Sequence, residues 1–399
     1  MPIRYVPALP RGAELVIIGG GIVGAATAFY ASRAGMRPLV LERRPALCSL
    51  TTAVAAGGVR LQLETEEQLR LVRESSELFG AFAEITGQSE YGARLRRQGY
   101  LWLTTSEDGV GRQRRLVAEQ RGWGVSGVEL LSGDEARRAF PFVGPRVRQA
   151  RFRAEDGLLD PKGVTMGLAA ASGARVVVGC GVVALRRRGG GRVVEVETTL
   201  GRVDADAVVV AAGPFSGEVA RLAGVELPVS AVRRQKLVLP EVPQVPAGAP
   251  MTIDDDTGVH WRPAFQGAAL LFADPSTPPS PPSDDVPLDH RFVFQLLDPT
   301  SRVSAGRVTP FWHGVWHEWS APWMLQAGQY TVTPDHRPLI GHTAVEGLLV
   351  NSGYSGRGVM AGPAGSRHLV DLLSGKVSAA DNPFRPDRSF AERPHVDIL

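Results

Sequence analysis

Residues 15–18 form an unbroken aliphatic run that stops at glycine, the pattern of a parallel strand buried on both faces. An alanine-rich helix is predicted over 22–33, with Gly35 placed to end it, and a second strand over 37–41. The next predicted helix covers 64–85 with Thr65 as its N-cap, followed by a short alternating strand at 100–104. Residues 131–135 read as the capped start of a short helix ending before Pro141, and 154–161 as a turn-rich crossing. Segments 175–185, 193–199 and 203–210 predict a small antiparallel meander returning to a buried strand, which Ala211-Ala212-Gly213-Pro214 stops. Strands are predicted again at 232–239, 268–273 and 291–297, with 275–287 as a mobile, proline- and serine-rich surface loop. The last part repeats the opening grammar: a strand at 348–351, a glycine-rich turn at 353–358, and a helix at 364–373 ending at Gly375. No solenoid period is present.

At 399 residues the chain suits two intertwined domains with a substantial core. A net charge of +3 is too small to argue for nucleic acid, and Arg186, Arg187 and Arg188, beside Gly189 to Gly191, read as a solvated hairpin turn. Lys162, Lys236 and Lys376 are the only lysines, so arginine carries the positive charge. Cys48 and Cys180 are too few for a disulfide framework, lack metal spacing, and suit a reducing cytoplasm as small buried hydrophobes. No signal peptide or membrane span is predicted, and a cytoplasmic protein is expected.

Gly19, Gly21 and Gly24 form a G-x-G-x-x-G between strand and helix. The first permits the tight turn, the second lets backbone approach a pyrophosphate, and the third lets the helix lie close on the strand. Ile22 and Val23 open the helix, whose N-terminus aims N–H groups and partial positive charge at phosphate. Glu42, followed by Arg43, falls where a carboxylate accepts hydrogen bonds from ribose hydroxyls, which disfavours NADP. The motif alone does not separate FAD from NAD.

Further matches accompany this fingerprint in order: Thr51-Thr52 with Ala55-Ala56-Gly57-Gly58-Val59-Arg60; Asp206 to Gly213; Gln329-Tyr330-Thr331-Val332-Thr333-Pro334-Asp335-His336-Arg337-Pro338-Leu339-Ile340-Gly341; and Gly353-Tyr354-Ser355-Gly356-Arg357-Gly358. Across nearly its whole length the chain resembles the D-amino-acid-oxidase-like FAD-dependent oxidoreductases, nearest to glycine oxidase, sarcosine oxidase and β-type imino-acid dehydrogenases. The resemblance implies an α/β fold: a discontinuous Rossmann-like FAD-binding domain (1–84, 146–225 and 327–399) and a second, α+β substrate domain built on an antiparallel sheet (85–145 and 226–326). It implies Thr51, Thr52, Gly57 and Gly58 along the cofactor, and Val182, Ala212 and Gly213 near its adenine half. Gly353, Gly356, Arg357, Gly358, Val359 and Met360 would meet the isoalloxazine.

The resemblance further implies oxidation of the C–N bond of a small amine or amino acid to an imine, with sarcosine, proline or glycine favoured, and electrons passing to oxygen or another acceptor. The usual carboxylate clamps are missing: Tyr330 stands where glycine-oxidase-like members have arginine, and Leu63 and Met360 replace the cations of monomeric sarcosine oxidases. Either another residue binds a carboxylate, with Arg60, His260 and Arg262 the candidates, or the substrate has none and Tyr330 supplies a hydrogen bond and an apolar wall. Arg60, His260 and Tyr330 are the candidate catalytic residues, and the resemblance to sarcosine oxidases also allows Arg60 to face the flavin instead. Gly328 replaces the covalent-flavin cysteine, so FAD is expected to be non-covalent. The lysine that activates oxygen in those oxidases aligns with Ala269, and only Lys236 could substitute, which leans the reading toward a dehydrogenase or slow oxidase. His313 and His317, with Trp312, Trp316, Trp319 and Trp323, read as an aromatic packing face rather than a metal site. An oxidase of a carboxylate-free amine, a flavin subunit of a hetero-oligomer inactive alone, and an NAD-dependent dehydrogenase remain as alternatives, and a homo- or hetero-oligomer is allowed.

Overall fold

The computed structural model describes residues 2–187, 191–318 and 322–390. Its first sheet has nine strands, with the parallel order Arg4–Tyr5, Arg175–Val177, Pro38–Leu41, Gly12–Ile18 and Gly201–Val210 at its centre. Leu348–Ser352 also pairs in parallel with Gly201–Val210, so the first and last predicted strands flank one neighbour. Residues 15–18 are fully buried, as their aliphatic run requires. The helices Ile22–Arg33, Glu66–Gly80, Pro161–Ser172 and Gly358–Leu373 cover one face, and the Val182–Arg187 and Val193–Thr198 hairpin extends one edge. Arg188, Gly189 and Gly190 of that hairpin lie outside the described residues.

The segment 175–185 is two elements rather than one strand. Arg175–Val177 joins the parallel side, and the chain breaks at Gly179, whose φ of +65° is left-handed, before the hairpin starts. The helix expected over 64–85 is likewise divided into Glu66–Gly80 and Phe82–Thr86, with Thr65 capping the first by accepting from the Gln68 amide at 3.4 Å.

The second sheet has eight strands, in the order Met324–Val332, Ser230–Leu239, Gly267–Phe272, His260–Ala264, Met251–Asp254, Tyr100–Thr104, Gln149–Arg153 and Val128–Ser132. All pairings are antiparallel except that between Met251–Asp254 and Tyr100–Thr104. Gln149–Arg153 and Met324–Val332 thus bring stretches expected in the first domain, near 146–153 and 327–332, into the second sheet. The capped helix near 131–135 is Gly133–Ala139, held by a capping box of Ser132 and Glu135.

Arg291–Leu297 is a helix, not a strand. Its buried Phe292, Val293, Leu296 and Leu297 repeat at helical spacing, a pattern that a short apolar run hides when read as alternation. The proline-rich loop is tied at several points: Gln329 Nε2 donates to Ser280 Oγ (3.0 Å) and the Pro281 carbonyl (2.8 Å), while Arg43 and Arg44 pair with Asp284 at 2.6 and 3.1 Å.

Candidate functional site

A cavity of about 450 Å³ runs between the glycine turns of the first sheet and one face of the second. At its first-sheet end the Ile22–Arg33 helix starts without a side-chain cap or an acidic residue in its first turn. Gly19, Gly21, Ile22 and Val23 line the space, and Thr52 Oγ1 accepts from the Ile22 amide at 3.3 Å. Such an N-terminus suits phosphate. Glu42 is held at the rim by the amides of Gly20 (to Oε2, 2.7 Å) and Arg44 (to Oε1, 2.8 Å).

The three fingerprint glycines act differently. A Cβ on Gly19 would stand 2.4 Å from the Ala211 carbonyl oxygen, and one on Gly24 would stand 1.9 Å from that of Gly19. Gly24 therefore serves packing and does not line the cavity. A Cβ on Gly21 would meet only Thr52 Oγ1, at 3.3 Å, and would occupy space that a pyrophosphate needs.

Val182, Ala212 and Gly213 line the same end, where the Arg43 guanidinium lies 3.7 Å from the centre of the Phe215 ring. Thr51, Thr52, Gly57 and Gly58 form the middle, and Gly353, Gly356, Arg357, Gly358, Val359 and Met360 approach from the C-terminal turn. The helix after that turn starts at Gly358, six residues before the expected 364, and carries Pro363 inside it. Packing overrides the proline, for residues 359–366 are all buried. This start puts a second uncapped helix N-terminus, again without a first-turn acid, at the cavity wall. Gly356 has φ +90°, and a Cβ there would stand 2.5 Å from the Tyr330 ring.

The second sheet supplies the far end through strand alternation. Arg234 and Lys236 project on the face that carries Tyr330, Gly328 and Gln326 on one neighbouring strand and Leu271, then His260, on the other side. These residues, with Tyr100, line the cavity beside the buried Arg60 and Arg357. Among the described lining residues Glu42 and Glu218 are the only carboxylates, and both belong to the first-sheet side. The far end is therefore cationic.

Burial pushes Arg357 down to about 10, against the opposing charge of Glu64, and lowers Arg234 as well. Lys236 falls to about 8 through burial and the nearby charges of Arg262 and Lys162. Burial lowers His260 to about 4, so it is neutral near pH 7, with Nδ1 2.9 Å from the Gly258 carbonyl. The Tyr330 hydroxyl is pushed up by burial and stays protonated. Arg60 places Nη1 3.8 Å from Met360 Sδ, and its guanidinium lies 5.4 Å from the Trp102 ring.

Several expected positions lie elsewhere. Arg262 does not line the cavity and donates to the Pro263 carbonyl at 3.0 Å; Leu63 and Ala269 are buried away from it. Arg234, Tyr100 and Gln329 were not foreseen, although the alternation of 232–239 held the signal for Arg234. Trp312 is buried against Trp261 and Phe311, the packing role expected of that cluster, while Trp319 lies outside the described residues. Among the described residues no group of His, Cys, Asp and Glu could hold a metal, and no helix is long and apolar enough to cross a membrane. Cys48 and Cys180 are both buried and free.

The model of one protein family, FAD dependent oxidoreductase, matches residues 14–372. The chain belongs to this family. It is 26% identical over 375 residues to the mitochondrial sarcosine dehydrogenase of Mus musculus, covering 92% of this chain but only 40% of that protein. The chain thus spans about two fifths of the sarcosine dehydrogenases it matches. A D-amino acid dehydrogenase of Cereibacter sphaeroides is 26% identical, with 91% of this chain and 92% of that one covered. Glycine oxidase from Geobacillus kaustophilus shares the fold, with a TM-score of 0.81, 24% identity, and coverage of 96% of this chain and 100% of that one.

The residues present fit the family's cofactor. Two uncapped helix N-termini, Glu42 at the rim, and the open space beside Gly21 meet the needs of a pyrophosphate, a ribose and an isoalloxazine carbonyl.

Proposed function

We propose that this protein binds FAD non-covalently and oxidises the C–N bond of a small amino acid to an imine, with sarcosine, proline or glycine the favoured class. The observation that carries the reading is the cationic far end of the cavity, lined by Arg60, Arg234, Lys236 and Arg357, with Glu64 acting on Arg357 from outside the lining residues. A guanidinium fork suits a carboxylate and loses less entropy per bond than a lysine.

Bound FAD would accept a hydride equivalent from the substrate's α-carbon. The protein's own part is placement. Gly19, Gly21, Ile22, Val23, Glu42, Arg43, Thr51, Thr52, Gly57, Gly58, Val182, Ala212 and Gly213 would hold the adenine, ribose and pyrophosphate half, with Gly24 packing the helix beneath. Gly353, Gly356, Arg357, Gly358, Val359 and Met360 would border the ring. Arg60 and Arg234 would draw the carboxylate toward the second sheet, Tyr330 would donate its hydroxyl, and neutral His260 would offer Nε2 to the amine. Gly328, at the cavity wall with no sulfur, fits a cofactor held without a covalent bond. The free, buried cysteines suit a reducing compartment, and we infer a cytoplasmic location; subcellular fractionation tests it.

The test is anaerobic: the purified yellow protein is mixed with sarcosine, proline, glycine and D-amino acids. Bleaching of the visible flavin band by at least one supports the reading, and an unbleached band with all of them ends it.

A further inference from the structure

Oxidation of an amine needs a lone pair on nitrogen, because that pair becomes the second bond of the imine. An amino acid arrives as an ammonium, so something must take its proton first. Among the groups at the far end of the cavity, the arginines stay protonated near pH 7, Tyr330 and Tyr100 are held protonated by burial, and His260 is too weak a base.

We propose that Lys236 is the base that removes the ammonium proton of the bound amino acid, an assignment that rests on the amine oxidation proposed above. The residue is 9% exposed and lines the cavity. It makes no hydrogen bond or ion pair with any described residue, so its nitrogen is free to face a ligand. Its strand partners are Leu271 and Gln326, both uncharged; the charges acting on it are Arg262 from the next strand but one and Lys162 from the Pro161–Ser172 helix, both cations. Cationic neighbours and burial disfavour its charged form, which brings it to about 8, close to working pH. His260 stands two strands away on the same face, across Leu271, about 10 Å at ordinary strand spacing.

The balance is simple. One N–H bond of the ammonium breaks, its proton passes to Lys236 Nζ, and the pair stays on nitrogen. When the α C–H bond breaks, bound FAD would supply the acceptor for its hydrogen and two electrons, and the nitrogen pair would close the C=N bond. Lys236 returns the proton to solvent.

Two experiments test the assignment. With only three lysines in the chain, ¹³Cε-lysine labelling of the FAD-loaded protein gives three signals, and Lys236→Met identifies one of them. That signal should titrate near pH 8, against about 10.4 for an ordinary lysine. A midpoint at the ordinary value overturns the proposal, whatever the activity. In anaerobic stopped flow, the limiting rate of flavin bleaching should rise with pH through the same midpoint. Lys236→Met should lose that rise and slow bleaching about 100-fold or more at pH 7.5, with the substrate's Kd within about threefold. Lys236→Gln should behave alike, with flavin content as the folding control. A variant that raises Kd but keeps the pH-dependent rate makes Lys236 a carboxylate anchor, and one that slows only reoxidation by oxygen makes it an acceptor-side residue; either overturns the base role. If no amino acid bleaches the wild type, amine oxidation fails and the base role falls with it, while the lysine signal still reports its own midpoint.

Discussion

Replacing Arg234 by methionine keeps the stem length and removes only the guanidinium. That group lies 5.6 Å from the centre of the Tyr330 ring, and its Nη1 donates to the Arg233 carbonyl at 3.0 Å and more weakly to that of Asp274 at 3.4 Å. Both accepting oxygens belong to backbone, so the substitution leaves no buried charge without its counterion. What should be lost is one charge-assisted bond to the ligand carboxylate, about 1.5–3 kcal/mol, or about 10- to 150-fold in Kd. The assay is an equilibrium titration of the flavin's visible spectrum with a carboxylic acid that cannot be oxidised, such as benzoate, which separates binding from turnover. Arg291→Met, at an exposed arginine paired with Asp289 that does not line this cavity, should leave that Kd unchanged. An Arg234→Met protein that binds benzoate within twofold of wild type would refute the assignment of the carboxylate to this end.

Further predictions concern the cofactor, the pocket and pH. Gly21→Ala should fold, since its Cβ meets only Thr52 Oγ1, yet lose FAD; unchanged flavin content after dialysis would count against the pyrophosphate placement. Tyr330→Phe should raise the substrate's half-saturation several-fold while FAD stays bound, and unaltered kinetics would remove its hydroxyl from the substrate's contacts. His260 has a folded value of about 4 against 6.5 when free, so protons favour the unfolded chain. Its contribution is complete above pH 6.5 and lost as pH falls toward 4, about 3 kcal/mol in all, and His260→Gln should flatten that part of the urea-midpoint profile.

The parts of the fold legible in the sequence are those where local chemistry and burial agree. The aliphatic run at 15–18, the glycine turn and the capped starts at Thr65 and Ser132 each carry their own explanation. Arg291–Leu297 failed because seven residues are too few for period to separate helix from strand, and the early start of Gly358–Leu373 failed because a proline in a buried helix is decided by packing elsewhere. The glycine end of the cavity was readable because its glycines answer to backbone geometry. The far end was not, since Arg60, Arg234, Lys236 and Arg357 lie on separate segments that only the second sheet and the C-terminal turn bring around one space. A missing clamp at Tyr330 and Met360 was visible as an absence, but its replacement depends on tertiary contacts.

The central claim, an amino-acid oxidation guided by a cationic pocket, is tested most directly by anaerobic spectral titration with matched pairs: sarcosine against dimethylamine, proline against pyrrolidine, and glycine against methylamine. The account predicts that at least one carboxylate-bearing member bleaches the flavin band while its decarboxylated partner leaves it intact at the same concentration. Equal bleaching by both members of every reactive pair would contradict it.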